Sequence, residues 1–267
     1  MNTLLPAERD RLLRAAELYE REYVPTVGRP MAYCLLSAAQ PRSHEQVLDV
    51  ACGTGIVART AAEAVVDVGN VTGLDPSEPM LEVAATKAPS GMNWVLGTAE
   101  DIPLADDSFT LVLCLQGLQY FADRHRALAE IRRVLGPGGR FATLTPGPTP
   151  PFMKAMAEAL GAHVGPHAER FVERIFELGQ PDEVAALLRE ADFHDVRTEA
   201  ATVTITLPPP RDTFDMYIAA TPLAPMVAVL DEPQLQRLRD DFVERCAALD
   251  DPTVLLIDYV VALGSKP

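Results

Sequence analysis

The stretch "VLDVACGTGIVART", residues 47–60, decides how the chain is read: β-prone residues around a carboxylate, a tight run of small residues, then a helical pattern. Strand, glycine-rich turn and helix in that order leave backbone N–H groups of the turn open to a ligand. Residues 53–58, "GTGIVA", satisfy G-x-G-x-x-[GA], and Asp75 lies 20 residues past Gly55, at the end of the next apolar run. Glycines permit close backbone approach, and an acid at that distance suits the hydroxyls of a ribose.

Outward from this turn, strand and helix alternate from residue 46 to 146. Strands are expected at 46–51, 70–75, 92–99, 109–116 and 140–146, and helices at 55–65, 78–88 and 123–135, the last stopped by "GPGG". The fourth strand is apolar along nearly its whole length, as a strand covered on both faces should be. The pattern is that of an α/β protein with a doubly wound, Rossmann-like sheet. Seven strands are expected, the last two from "DVRTEAATVTITL" and "TVLLIDYVVALGSKP". The expected organisation is N-terminal helices over the site at 1–45, an α/β core at 46–146 and a helical cap insertion at 147–178. A core helix and strand follow at 179–210, a second helical cap at 211–250 and a C-terminal core strand at 251–267. The opening segment 1–23 reads as an amphipathic surface helix.

Composition narrows the partners. With 48% hydrophobic residues in 267, the chain can bury a large core. No apolar run is long enough to span a bilayer and no signal peptide is evident near Met1, so no membrane partner is expected. The four cysteines are far apart in sequence, without a C-x-x-C pair, which argues against a zinc site and a disulfide framework. No metal is expected, and the cysteine usage fits a reducing, cytoplasmic setting. A net charge of −15 would repel a phosphate backbone, so nucleic acid is not expected as a partner. A small-molecule partner remains, and a homodimer is compatible with the composition.

Asp49 separates two cofactor classes. A dinucleotide would place a pyrophosphate at the helix N-terminus, where a nearby carboxylate repels it. S-adenosylmethionine instead carries a sulfonium and an ammonium, which an acid inside the strand favours, directly or by orienting the turn. The sign of one charge favours the sulfonium cofactor.

The segments "VLDVACGTGIVA", "VTGLDPSEPML", "GTAEDIPLADDSFTLVLCLQGLQYF" and "ALAEIRRVLGPGGRF" resemble, in order and spacing, the motifs of class I S-adenosylmethionine-dependent methyltransferases. The small-molecule subgroup that includes the quinone-biosynthesis C-methyltransferases is the most similar. The resemblance implies methyl transfer to a small-molecule acceptor, in secondary metabolism or quinone-type biosynthesis. A rearrangement or cyclisation on the same scaffold is the alternative, since fold does not fix chemistry. It further implies that Gly53 and Gly55, with Ala51 and Cys52, border the methionine part of the cofactor. Asp75, followed by Pro76, would take both ribose hydroxyls, and Met80 would pack against the adenine.

At the next motif the chain departs from the family. Relatives often carry an Asp before Ala as acceptor for the adenine amino group, whereas this chain has Thr98 before Ala99, with Glu100 or Asp101 as alternatives. Leu115 and Gln116 are expected beside the cofactor, and Gln119 and Tyr120 near the reaction centre. Methyl transfer to a sulfonium-activated carbon mainly requires positioning, and a base only for some acceptors. His163 and His167, in the first cap, are the base candidates. His44, His125 and His194 read as surface residues.

Overall fold

The computed structural model describes residues 6–221 and 223–267. Residues 1–5 of the expected first helix lie outside the described residues. One seven-stranded sheet organises the chain, in the order β3-β2-β1-β4-β5-β7-β6. The first five strands, β1 (Val47–Val50), β2 (Val71–Asp75), β3 (Asn93–Leu96), β4 (Phe109–Leu115) and β5 (Leu135–Pro146), run parallel, while β7 (Val254–Ser265) is antiparallel to both β5 and β6 (His194–Thr206). The strand order reverses at β1, which lies between β2 and β4. That reversal opens a crevice at the carboxyl ends of these strands.

The helices follow from local chemistry. α1 (Pro6–Leu18) leads into a π-helical segment, Tyr19–Gly28, and then α2 (Arg29–Ala39). Pro25 lies inside that segment, and its missing N–H removes one ordinary α-helical bond where the wider turns occur. α3 (Ile56–Ala62) starts from Gly55, whose φ of 80° is the left-handed conformation that glycine tolerates. α4 (Glu78–Lys87) is capped by Ser77, and α5 (Arg124–Val134) by Asp123, whose carboxylate accepts from the Arg126 amide at 3.0 Å. α6 (Pro151–His163), α7 (Pro166–Ile175) and α8 (Pro181–Glu190) each carry proline in the first turn, where its lack of an N–H costs nothing. α9 (Pro210–Ala220), the short α10 (Ala224–Val227) and α11 (Glu232–Cys246) complete the set, the last opened by a reciprocal Asp231–Gln234 capping box.

Several expected boundaries differ. In the second cap, expected at 211–250, the first helix ends at Ala220, because Thr221 precedes proline and is extended, with φ −125° and ψ 169°. The "GPGG" run does not separate α5 from a later strand; Leu135 already pairs with Phe109, and β5 shifts register past the glycines. The third strand is shorter than 92–99, ending at Leu96.

Helices cover both faces of the sheet. On one side Val47, Leu111 and Leu113 pack with Leu35 and Val57, in a buried cluster that continues through Met156, Phe214 and Phe242 of α6, α9 and α11. On the other, Leu48, Val112 and Phe141 pack with Leu128, Ile131 and Leu188. The cap helices therefore share one core with the sheet. Among the described residues no helix is long and apolar enough to cross a membrane, and no group of ligating side chains could hold a metal ion.

One aromatic side chain fixes the local spacing of the crevice floor. A Cβ on Gly73 would lie 2.4 Å from the Trp94 ring and 3.0 Å from Cys52 Sγ. Gly73→Ala is expected to destabilise the protein by about 1–3 kcal/mol through overpacking. Gly28→Ala meets ordinary contacts at 3.6 Å within a helix and is expected to be neutral or stabilising. Urea denaturation of the two variants checks the contrast.

Candidate active site

The turns that leave β1, β2 and β4 converge on one cavity of about 770 Å³. Ten of the residues expected around a cofactor line it: Ala51, Gly53, Asp75, Pro76, Met80, Thr98, Ala99, Glu100, Leu115 and Gln116. Ala51 and Gln116 both take positive φ, 58° and 53°, where the chain turns away from β1 and β4. Asp75 is 8% exposed; one carboxylate oxygen accepts from the Gly53 amide and the other from the Ser77 amide, each at 2.8 Å. Burial raises its pKa against the lowering effect of those two bonds.

Three expected contacts are placed differently. Asp49 is 1% exposed and does not line the cavity. Its Oδ2 accepts from the Ala58 amide in the first turn of α3 at 3.0 Å, so it orients the helix behind the turn. Its Oδ1 has no hydrogen-bond partner, and burial lifts the pKa from 3.8 to about 8. Cys52 is also buried behind the wall, its thiol pushed up by burial and by the Asp49 and Asp75 carboxylates. Gly55 is required by packing: a Cβ there would lie 2.4 Å from the Trp94 ring, whereas one on Gly53 would meet only Tyr19, at 3.9 Å. Gly53 is thus the glycine that leaves the cavity open.

Of the residues expected at the adenine, Glu100 is held by the Ala122 amide at 2.8 Å, and Thr98 lines the same cavity. Asp101 is exposed and lines no part of the cavity, so of the three candidates the fold brings Thr98 and Glu100 to it.

The base candidates are not at the site. His163 Nε2 faces Asp241 Oδ2 on α11 at 3.2 Å, and His167 is exposed at the start of α7; neither lines the cavity. A histidine partner on a distant helix is invisible to local sequence spacing. Gln119 is wholly buried outside the cavity lining, with both side-chain amide atoms unpartnered. Its backbone carbonyl accepts from Arg124 and Arg174. Tyr120 does line the cavity, beside Phe171 with ring centroids 6.3 Å apart. His44, His125 and His194 are exposed, as expected, with His125 against Glu190 at 3.0 Å.

The cavity wall also contains side chains that the sequence reading did not single out. Tyr19 and Tyr23 stack at 4.8 Å, and Tyr23 meets Tyr217 of α9 edge-on at 5.5 Å. With Tyr120 they put four tyrosines around the cavity. Burial raises all four phenol pKa values, that of Tyr120 to about 12, so their hydroxyls remain protonated at neutral pH. The i, i+4 repeat in "YEREY" was the available signal, since it puts Tyr19 and Tyr23 on one helical face.

The site is therefore that of a doubly wound α/β protein with a glycine turn, a strand-end carboxylate and an aromatic second compartment. A family described as a methyltransferase domain matches residues 48–143. The demethylmenaquinone methyltransferase of Staphylococcus aureus (strain MRSA252) is 36% identical over 175 residues, covering 60% of this chain and 73% of that protein. The YcgJ protein of Bacillus subtilis superposes with a TM-score of 0.59 at 19% identity, over 88% of this chain and 97% of that one. The phosphoethanolamine N-methyltransferase 2 of Haemonchus contortus, solved with S-adenosyl-L-methionine, gives 0.59 at 17% identity, over 96% and 56%. The chain belongs to the class I S-adenosylmethionine-dependent methyltransferases, and S-adenosylmethionine is its cofactor.

Asp49 carries a pH signature. Its folded pKa, about 8, lies above its ordinary 3.8, so the folded state binds the extra proton between these values. Stability from this group is therefore present at low pH and lost as pH rises through about 8; the raised Asp75 acts with the same sign. Asp49→Asn keeps an acceptor for the Ala58 amide and should flatten the decline in urea-unfolding free energy between about pH 5 and pH 8.

Proposed function

We propose that the enzyme methylates a small, largely apolar, ring-containing acceptor, of the kind handled in quinone-type or secondary metabolism, bound between the tyrosine wall and the cofactor turn. The observation that carries this reading is the continuity of the cavity from Asp75 and Met80 to Phe171, Phe176 and Tyr217. The similarity to a demethylmenaquinone methyltransferase supports the same acceptor class. No nucleic acid partner is proposed, because the chain's charge of −15 opposes one.

The cofactor site is tested by its own residues. Gly53 leaves backbone open to the cavity, Asp75 offers a carboxylate, and Asp49 orients the helix behind the turn through the Ala58 amide. These fit a ligand that brings ribose hydroxyls to the end of β2 and packs closely against the backbone of the turn. When bound, S-adenosylmethionine supplies a methyl group already activated by its sulfonium. Asp75 would hold the ribose: each of its oxygens uses one of two lone pairs on backbone, leaving acceptor capacity for hydroxyls. Met80 and Thr98 would face the adenine, with Glu100 the charged alternative for its amino group. Leu115 and Gln116 would flank the cofactor from β4.

On the acceptor side the residues orient rather than deprotonate. The four phenols are neutral donors, and among the described residues no histidine lines the cavity. The nucleophile is then an acceptor atom reactive without a strong protein base, held in line by Tyr120 and the facing aromatic rings.

Incubation with methyl-labelled S-adenosylmethionine and a panel of quinols and related phenols should move label into the organic extract. Label retained wholly in the cofactor, with cofactor binding intact, overturns the acceptor class. Asp75→Ala should weaken cofactor binding by about 1.5–3 kcal/mol, the scale of hydrogen bonds to a charged group. Calorimetry showing unchanged affinity overturns the ribose assignment.

A further inference from the structure

The middle residue of the glycine turn has no role in the cofactor site so far described. Thr54 is 1% exposed, and its hydroxyl donates to Glu20 Oε2 at 2.5 Å, across 34 residues of sequence. The other oxygen of Glu20 pairs with the Arg59 guanidinium at 2.8 Å, and the same guanidinium donates to the Thr54 carbonyl at 2.9 Å. Glu20, Thr54 and Arg59 thus close a ring of three hydrogen bonds. The Glu20 and Arg59 side chains are only 13% and 12% exposed, unlike the chain's solvent-facing pairs such as Arg211 and Asp240 at 47% and 56%. A secluded pair of this kind holds one geometry, and removing either partner strands the other.

The ring joins two parts of the cavity. Thr54 sits between Gly53 and Gly55 in the cofactor turn, while Glu20 lies in the π-helical segment that carries Tyr19 and Tyr23. Tyr19, next to Glu20, reaches to 3.9 Å from the position a Cβ on Gly53 would take. It stacks on Tyr23, which meets Tyr217 edge-on. A continuous line of contact therefore runs from the turn through two tyrosines to α9. π-Helical turns recur at functional sites because they re-aim side chains that an α-helix would place elsewhere.

We propose that Glu20 is a positioning residue that locks the acceptor wall to the cofactor turn: through Thr54 and Arg59 it holds Tyr19 and Tyr23 in register with Gly53, so that filling the turn also stiffens the wall. The proposal rests on the cofactor site at residues 51–55 and not on the identity of the acceptor. It separates Glu20 from the exposed Arg9–Glu82 pair, which joins α1 to α4.

Hydrogen exchange with S-adenosylhomocysteine as the probe tests this, with probe affinity measured in parallel by calorimetry. In the parent, the probe should slow exchange of amides in 52–60 and in 19–28 together, the latter by about 5-fold or more, the lower range of coupling between sites. In Glu20→Gln the slowing at 52–60 should persist while that at 19–28 falls away. Thr54→Val, which leaves the Glu20–Arg59 pair intact, should do the same and carries the test if Glu20→Gln does not fold. Thr54→Ser, which restores the donor, should behave as the parent. Three results overturn the proposal: no slowing at 19–28 in the parent, parent-like slowing there in both variants, or loss of probe affinity and of protection at 52–60 in step with 19–28. The last would mean that the ring only supports the turn. Failure of the acceptor assignment leaves every one of these readings unchanged.

Discussion

The 2.8 Å hydrogen bond from the Gly53 amide to Asp75 is the constraint around which the site is assembled. It ties the turn after β1 to the end of β2, and the second oxygen of the same carboxylate ties the start of the following helix through Ser77. Cys52 N–H to Leu74 C=O, at 3.0 Å, continues the β1–β2 pairing up to that point. A buried carboxylate is stable only if its oxygens are met by donors, and here the donors are backbone groups of the two loops that must be held together. Trp94, packed over Gly55 and Gly73, fills the space beneath them. Close packing and a desolvated charge thus set the same distance from two directions.

The two compartments of the cavity use different physics. The cofactor end is built from backbone turns and carboxylates, suited to hydroxyls and positive charge. The end proposed for the acceptor is aromatic and carries neutral phenols, whose donors would orient a bound ring without contributing a formal charge. For a displacement at an activated methyl carbon, holding nucleophile and carbon in line is the main task, and rigid aromatic walls perform it at low conformational cost.

What was legible in the sequence was local. The alternation of strands and helices, the glycine turn and Asp75 each depend on neighbours within one strand–turn–helix unit, and the sheet follows from their repetition. The roles of Gly55 and Asp49 were only half legible, because the first depends on Trp94 of another strand and the second on which way a buried carboxylate turns. His163 was misplaced since nothing near it in sequence announces Asp241. Tyr19 and Tyr23 fall in a segment whose pattern reads as a surface helix, although their spacing is visible; the partners of Glu20 between them, Thr54 and Arg59, lie more than thirty residues away. The division after Ala220 was readable from the proline that follows Thr221.

The position of β7 bears on how the chain is made. β5 is complete at Pro146, but its neighbour on that side begins at Val254, and β6 is held in the sheet through β7 alone. During synthesis from the N-terminus, residues 147–253 emerge while the β5 edge still offers unpaired backbone groups. Pairings this distant in sequence close slowly, and an open edge is the place where nascent chains meet one another. The cofactor turn and its flanking strands can assemble early from contacts within the first half of the chain. Completion of the sheet waits for β7 to enter between two others, so the open edge persists until Val254–Ser265 has been made.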